Sequence, residues 1–186
     1  MAQLLRRNST YADLEALPAH LTGELIAGEL LVHPRPAPRH SNALASLGDL
    51  VRGPFQRGRG GPGGWWILPE PEVHLEADVL VPDLGGFRRS RLPTLAATAY
   101  LALAPDWVGE VLSPSTEAYD RGLKMGTYAR HRVPHVWLLD GLEQTLETYQ
   151  NDAGVMRPAG RWQGAGRARI APFDEVELDL GELWAE

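Results

Sequence analysis

Apolar residues recur at three- and four-residue intervals in some stretches of the chain and at two-residue intervals in others, which separates helices from strands. Tyr11, Leu14 and Leu17 follow Asn8-Ser9-Thr10, and the spacing predicts a short capped helix stopped by Pro18. Gly23 to His33 holds two apolar runs around Ala27-Gly28 and reads as a hairpin. Pro34 to Arg39 is proline-rich and predicts extended chain. Beyond it, Leu44, Leu47 and Val51 share one helical face, with Ser41 or Asn42 as the cap. Gly53 to Gly64 has six glycines and two prolines in twelve residues, so a loop is expected and no helix or strand. Trp65 to Leu75 reads as a broken strand, and Asp78 to Phe87 as another that ends in Gly-Gly. Residues 92–104 predict a short helix or a loop with helical turns.

The second half is more regular. A strand from about Trp107 to Leu112 leads into a helix from about Thr116 to His131. Val133 to Gly141 is a buried strand ending in a turn. Thr145 to Met156 is a hairpin turning at Asn151 to Gly154. Val176, Leu178 and Leu180 alternate in the tail, which is expected to cover the sheet edge. Helix, strands, helix and strand, with hairpins appended, make an α/β (α+β) chain with a mixed sheet, expected as one domain over residues 1–186.

Composition narrows the function classes. The 186 residues contain no cysteine, so disulfides, zinc ribbons and thiol catalysis are excluded. No apolar run approaches the roughly 20 residues that span a bilayer, and no signal core follows the N-terminal charges. A cytoplasmic protein with no membrane partner is the expectation. The net charge of -6 argues against a broad, sequence-blind hold on nucleic acid. Arginines nevertheless cluster at 35 and 39, at 52, 57 and 59, and at 88, 89 and 91. Such clusters are either a phosphate-binding face or the scatter of an arginine-rich composition.

Two acids interrupt apolar strands. Glu110 follows Trp107-Val108-Gly109, on the side of the strand shared by Val108 and Leu112. Asp83 follows Val79-Leu80-Val81-Pro82. A buried, unpaired carboxylate is costly, so each needs a metal, arginine or lysine partner. Side by side in a sheet they would converge on one point, and hard oxygen donors there suit Mg²⁺ or Mn²⁺. Lys124 is the only lysine; the other seventeen basic residues are arginine. It shares a helical face with Asp120 and Tyr128. A surface Asp120–Lys124 ion pair is one reading, but arginine would serve that equally well, so a compact ammonium is the other.

The run from "VPDLGGF" through "APDWVGEVLSPSTEAYDRGLKMGTYARHRVPHVWLLD" resembles the Uma-type restriction endonucleases of the PD-(D/E)XK nuclease superfamily. The resemblance extends upstream to "GELIAGELLVHPRPAPRHSNALASL" and to the tail. It implies a restriction endonuclease-like core and Mg²⁺-dependent (or Mn²⁺-dependent) hydrolysis of phosphodiester bonds, with DNA as partner. It assigns Asp83 and Glu110 as metal ligands and Asp83, Glu110 and Lys124 as the catalytic set. The superfamily's lysine normally stands two residues after the acid, where this chain has Leu112; Lys124 matches a lysine that has moved to the following helix. A homodimer would supply paired sites for two strands. The departure at Leu112 and the acidic charge leave a second possibility, an inactive nucleic-acid- or protein-binding module that keeps the fold.

Further candidates surround this set. Glu29 matches a recurrent family glutamate and is either a further metal ligand or an exposed strand residue. Glu70, on the strand before Asp83, is placed similarly. His40 opens the first long helix, as a phosphate contact or as a capping or packing residue. Pro134 separates His131 from His135, so no histidine metal pair is expected. Ser113 and Ser115 read as helix-capping residues, and Trp65 and Trp66 as core.

Overall fold

The computed structural model of the chain describes residues 3–18, 20–33 and 36–184. The first hairpin forms as its pattern predicts. Strands β2 (Thr22–Ile26) and β3 (Glu29–His33) join through Ala27-Gly28, both at positive φ. Strand β1 (Gln3–Arg7), not expected from the pattern, adds to the outer edge of β3. Helix α1 (Tyr11–Glu15) starts on a capping box in which Asp13 accepts from the Thr10 N–H.

Helix α2 (Pro38–Val51) begins earlier than expected. Ser41 and Asn42 lie inside it; Ala37 is the N-cap and Pro38 the first helical residue, where its fixed φ and missing N–H suit the first turn. Of the proline-rich segment, Pro34 and Arg35 fall outside the described residues. Leu47 and Val51 are buried as predicted, joined by Ala43 and Leu50. The Gly53–Gly64 stretch is not loop throughout, because a π-helical turn at Arg52–Gln56 continues α2. Phe55 anchors it, fully buried with its ring 4.6 Å from Phe173, so tertiary packing overrides the local glycine and proline content.

The two broken strands divide between two sheets. Strands β4 (Trp65–Pro69) and β7 (Leu84–Arg88) enter the larger sheet; β5 (Val73–Leu75) and β6 (Asp78–Leu80) enter the smaller one. Asp83 therefore lies in the Val81-Pro82-Asp83 step between sheets, not within a strand. Pro82 has no N–H to offer a ladder, so the crossing falls there. Residues 92–104 form no helix; Leu101 bridges to Val73. Strand β8 (Trp107–Leu112) runs parallel to β9 (His135–Asp140), and the hairpin β10 (Thr145–Asp152) and β11 (Val155–Gln163) completes the edge. The larger sheet has the order β11-β10-β9-β8-β7-β4, the smaller β1-β3-β2-β6-β5.

The segment between β8 and β9 is helical over the expected span but not uniformly so. Helix α3 (Glu117–Tyr119) passes through a π-helical turn, Asp120–Lys124, into α4 (Met125–Arg130). No helix among the described residues is long and apolar enough to cross a membrane.

Both faces of the larger sheet are covered. On one, α2 and the tail pack over Trp107, Val111 and Trp137. The tail does not line the edge as expected: Phe173, Leu178, Leu180 and Leu183 lie on this face. Among the described residues, strand β13 (Leu178–Asp179) pairs only with the short β12 (Arg167–Ala168). On the other face, the smaller sheet and α4 pack over Val108 and Leu112. The alternation read from β8 is thus the division between two cores. Gly109 makes room for the Trp107 indole, since a Cβ there would stand 2.9 Å from the ring and 3.1 Å from Leu47. Gly109→Ala is expected to destabilise the protein by about 1–3 kcal/mol in urea unfolding; an unchanged midpoint would mean that the indole shifts freely.

Candidate active site

The Val81-Pro82-Asp83 step leaves backbone groups without ladder partners, and buried acids satisfy them. The Val81 N–H donates to Glu24 Oε1 at 2.7 Å, and the Asp83 N–H to Glu110 Oε2 at 3.2 Å. Asp83 returns a bond: its Oδ2 accepts from the Val111 N–H at 2.7 Å. The β7–β8 register, Leu84 opposite Gly109, brings Asp83 beside Glu110. These bonds lock the sheet-to-sheet step onto the end of β8.

Lys124 closes the arrangement from the π-helical turn. Its Nζ lies 2.8 Å from Glu110 Oε1 and 3.4 Å from Glu24 Oε1. The Tyr128 hydroxyl donates to the same Glu110 oxygen at 2.5 Å, and the Tyr119 hydroxyl to Glu24 Oε2 at 2.9 Å. His40, on α2, donates from Nε2 to Asp83 Oδ1 at 3.1 Å. A cavity of about 210 Å³ opens among these groups, lined also by Glu70 and Asp120. Glu110 and Lys124 are only 2% and 4% exposed, whereas Asp83 and His40 are nearer the water.

Among the described residues, Glu24, Asp83, Glu110 and Asp120 lie around the Lys124 ammonium. Burial pushes the Glu110 carboxyl up to about 8; Lys124 opposes this, while the charges of Asp83, Asp120 and Glu24 add to it. Burial likewise raises Asp120 against Lys124 and a Thr116 hydrogen bond, with Asp83 and Glu24 adding. Burial disfavours the Lys124 ammonium, yet Glu110 and Glu24 outweigh it and hold its pKa well above the usual lysine value. Burial also opposes a charged His40, and the Asp83 bond and charge overcome it, so His40 is raised.

The signs give a pH dependence. Glu110 binds its proton more tightly folded than unfolded, so it favours folding at low pH and loses this contribution as pH rises from about 4.5 through about 8. The raised His40 also favours folding on the acid side and loses that contribution as pH rises through its folded pKa. In the absence of divalent cation, the melting temperature is expected to fall between about pH 6 and pH 9, and Glu110→Gln is expected to flatten the fall. A melting temperature that rises over this interval would show that the site is not over-acidic.

The carboxylates described here are hard oxygen donors, which fits Mg²⁺ or Mn²⁺ in kind. No group of three His, Asp or Glu among the described residues is arranged to hold a metal ion unaided. Mg²⁺ is ordinarily bound through one or two carboxylates and keeps several waters; here both oxygens of Asp83 and both of Glu110 already accept protein hydrogen bonds.

The structure brings Asp83, Glu110, Lys124, His40 and Glu70 to one cavity, with Tyr128 behind Glu110. It does not bring Glu29. That side chain sits beside the hairpin turn with its Oε1 3.3 Å from Arg7 Nε, and the acid of the first hairpin is Glu24. The first hairpin contains "GEL" twice, at 23–25 and 28–30, and the rule that marks Glu110, an acid inside an apolar strand, marks Glu24 as well. Asp120 is the other residue missed. It is buried at the cavity and is not the partner in a surface pair; Lys124 forms its ion pairs with Glu110 and Glu24. The Ser113 and Ser115 hydroxyls bond each other, and Ser113 also bonds the Thr116 hydroxyl; no side chain caps the helix at Thr116. Trp65 is core, as expected. Arg88 and Arg89 cover the Trp65 and Trp66 rings at the end of β7 away from Asp83, so that arginine cluster is not at this cavity.

A family profile described as "Putative restriction endonuclease", Uma2, matches residues 9–180. The fold is similar to the crystal structure of a putative nuclease belonging to DUF820 from Anabaena variabilis ATCC 29413. The TM-score is 0.75 at 21% sequence identity, covering 95% of this chain and 97% of that one. The likeness shows a shared fold, consistent with the restriction endonuclease-like core that the family match describes. No curated protein matches the chain.

Proposed function

This chain belongs to the Uma2 family of restriction endonuclease-like proteins, and from that membership we propose that it hydrolyses phosphodiester bonds in DNA. One observation carries the reading: the sole lysine places its ammonium 2.8 Å from Glu110, beside the cavity that Asp83 also lines. Asp83 and Glu110 would hold Mg²⁺ or Mn²⁺. Such an ion lowers the pKa of bound water and offsets charge on a phosphoryl group. Lys124 is kept charged by Glu110 and Glu24 and is set to offset developing negative charge or to orient the attacking water. Tyr128 and Tyr119 fix the two acids through their hydroxyls, so the ammonium stays in place without rearrangement during the reaction. His40, hydrogen-bonded to Asp83, is placed to meet a phosphate oxygen at the cavity wall. Leu112, where the superfamily's usual lysine would stand, packs in the apolar core, consistent with Lys124 taking over that role. Cutting both strands takes two such sites, which a homodimer would supply.

One observation favours a non-catalytic binding module instead: both Glu110 oxygens already have protein partners. The test is incubation of purified protein with supercoiled plasmid in Mg²⁺ or Mn²⁺, with and without EDTA. Nicked or linear product that EDTA abolishes supports the nuclease. Intact plasmid and intact oligonucleotides under every cation, with no Mn²⁺ binding by calorimetry, leave the binding module.

A further inference from the structure

A second cavity, of about 620 Å³, adjoins the first and shares Ala37, His40, Val111 and Ser113 with it as lining. Its volume falls in the range of small-molecule sites, about 300–1,000 Å³. Leu142, Leu183, Pro114 and Trp184 give it apolar walls, and Asn42 and Gln144 bring amide groups. The Trp184 indole N–H donates to the Gly164 carbonyl at 2.9 Å, which holds the ring in position. Leu142 stands 59% exposed at the turn between β9 and β10, so this apolar wall faces water.

We infer that this cavity receives the nucleobase next to the scissile phosphate, so that the substrate is an unpaired or extruded nucleotide and not continuous duplex. The inference rests on the nuclease reading, because a phosphate in the first cavity is what places a base in the second. A nucleobase is a flat apolar body with a polar edge, which is the chemistry of these walls. A base stacked and paired in a duplex cannot enter a cavity; one already unpaired enters at least cost. Charge points the same way. At a net charge of -6, with the Arg88–Arg89 cluster at the far end of β7 and Arg39 the one arginine among the described residues lining this cavity, few basic groups here could hold a duplex by its backbone. Aromatic stacking gives a local grip that tolerates any base sequence.

The full chain is titrated calorimetrically with dTMP and with methyl 2-deoxyribofuranoside 5-phosphate, in which a methoxy group replaces the base. dTMP is expected to bind roughly tenfold tighter. Asn42→Trp, which fills the cavity from an exposed helical position, is expected to bring the ratio close to one, as is Trp184→Leu. A single-stranded oligonucleotide is expected to be cut at least about tenfold faster than the same sequence as blunt duplex. No difference between the two ligands, whether both bind or neither does, overturns the inference, and so does duplex cut as fast as single strand. If no DNA is hydrolysed while the ligand ratio holds, the nuclease reading fails and what stands is a nucleotide-binding site without a scissile phosphate.

Discussion

Lys124→Met is expected to destabilise the cation-free protein by about 3–5 kcal/mol at pH 9, the usual consequence of removing one partner from a buried ion pair. Glu110 and Glu24 would then lose the one ammonium between them while remaining almost fully buried. The loss should shrink at pH 6, where Glu110 takes up a proton and no longer needs a counter-charge. Glu110→Gln should rescue much of it, because it removes the charge that Lys124 neutralises. Urea unfolding of both single variants and the double variant, at both pH values, gives the coupling directly. A loss below about 1 kcal/mol at both pH values would place Lys124 among ordinary exposed pairs and refute its burial with Glu110. Plasmid cleavage should fall about 10²- to 10³-fold, the scale of losing one preorganised electrostatic group. Lys124→Arg should not restore it, because a planar fork does not fit where a compact ammonium meets two acids.

Asp83→Asn separates chemistry from stability. Cleavage is expected to fall about 10³-fold or more, since the charge stabilisation lost is several kcal/mol and each factor of ten is about 1.4 kcal/mol. The fold should not suffer. Asparagine keeps an oxygen for the Val111 N–H and removes one of the charges that raise Glu110 and Asp120. The cation-free variant is therefore expected to melt higher than wild type at pH 8–9, by about 2–4 °C for each kcal/mol relieved. Its loss is the attraction to His40, which diminishes as that imidazole deprotonates. A clear drop in melting temperature would instead make Asp83 a structural clip between the sheets. Mn²⁺ binding left unchanged would remove it from the metal site.

Legibility followed the range of each interaction. The first hairpin, the wholly buried β8, the buried strand β9 and the turn within Asn151 to Gly154 all follow from contrasts between neighbours in the chain; that β9 runs parallel to β8 does not. Alternation along β8 was enough to place Trp107 and Val111 opposite Val108, Glu110 and Leu112. The expectation that a buried Glu110 must have a cationic partner also came from local reasoning, with desolvation as its cause. Lys124 stood out as the sole lysine, and the family motif added its place in the catalytic set.

Other features depend on residues far apart in the chain. Alternation says that Glu24 and Glu29 each lie in a strand, but only the pairing of β2 with β6 turns Glu24 toward Val81 and Lys124. Asp120 reads as half of a surface pair until the π-helical turn is packed against both sheets. Gly53–Gly64 looks wholly irregular until Phe55 meets Phe173. The tail looks like an edge cover until its apolar residues find the open face beside α2. A two- or four-residue period reports which side of an element is apolar. Which acids share a cavity is decided by strand order and by which backbone N–H groups a proline leaves to be satisfied, and those are properties of the assembled sheets.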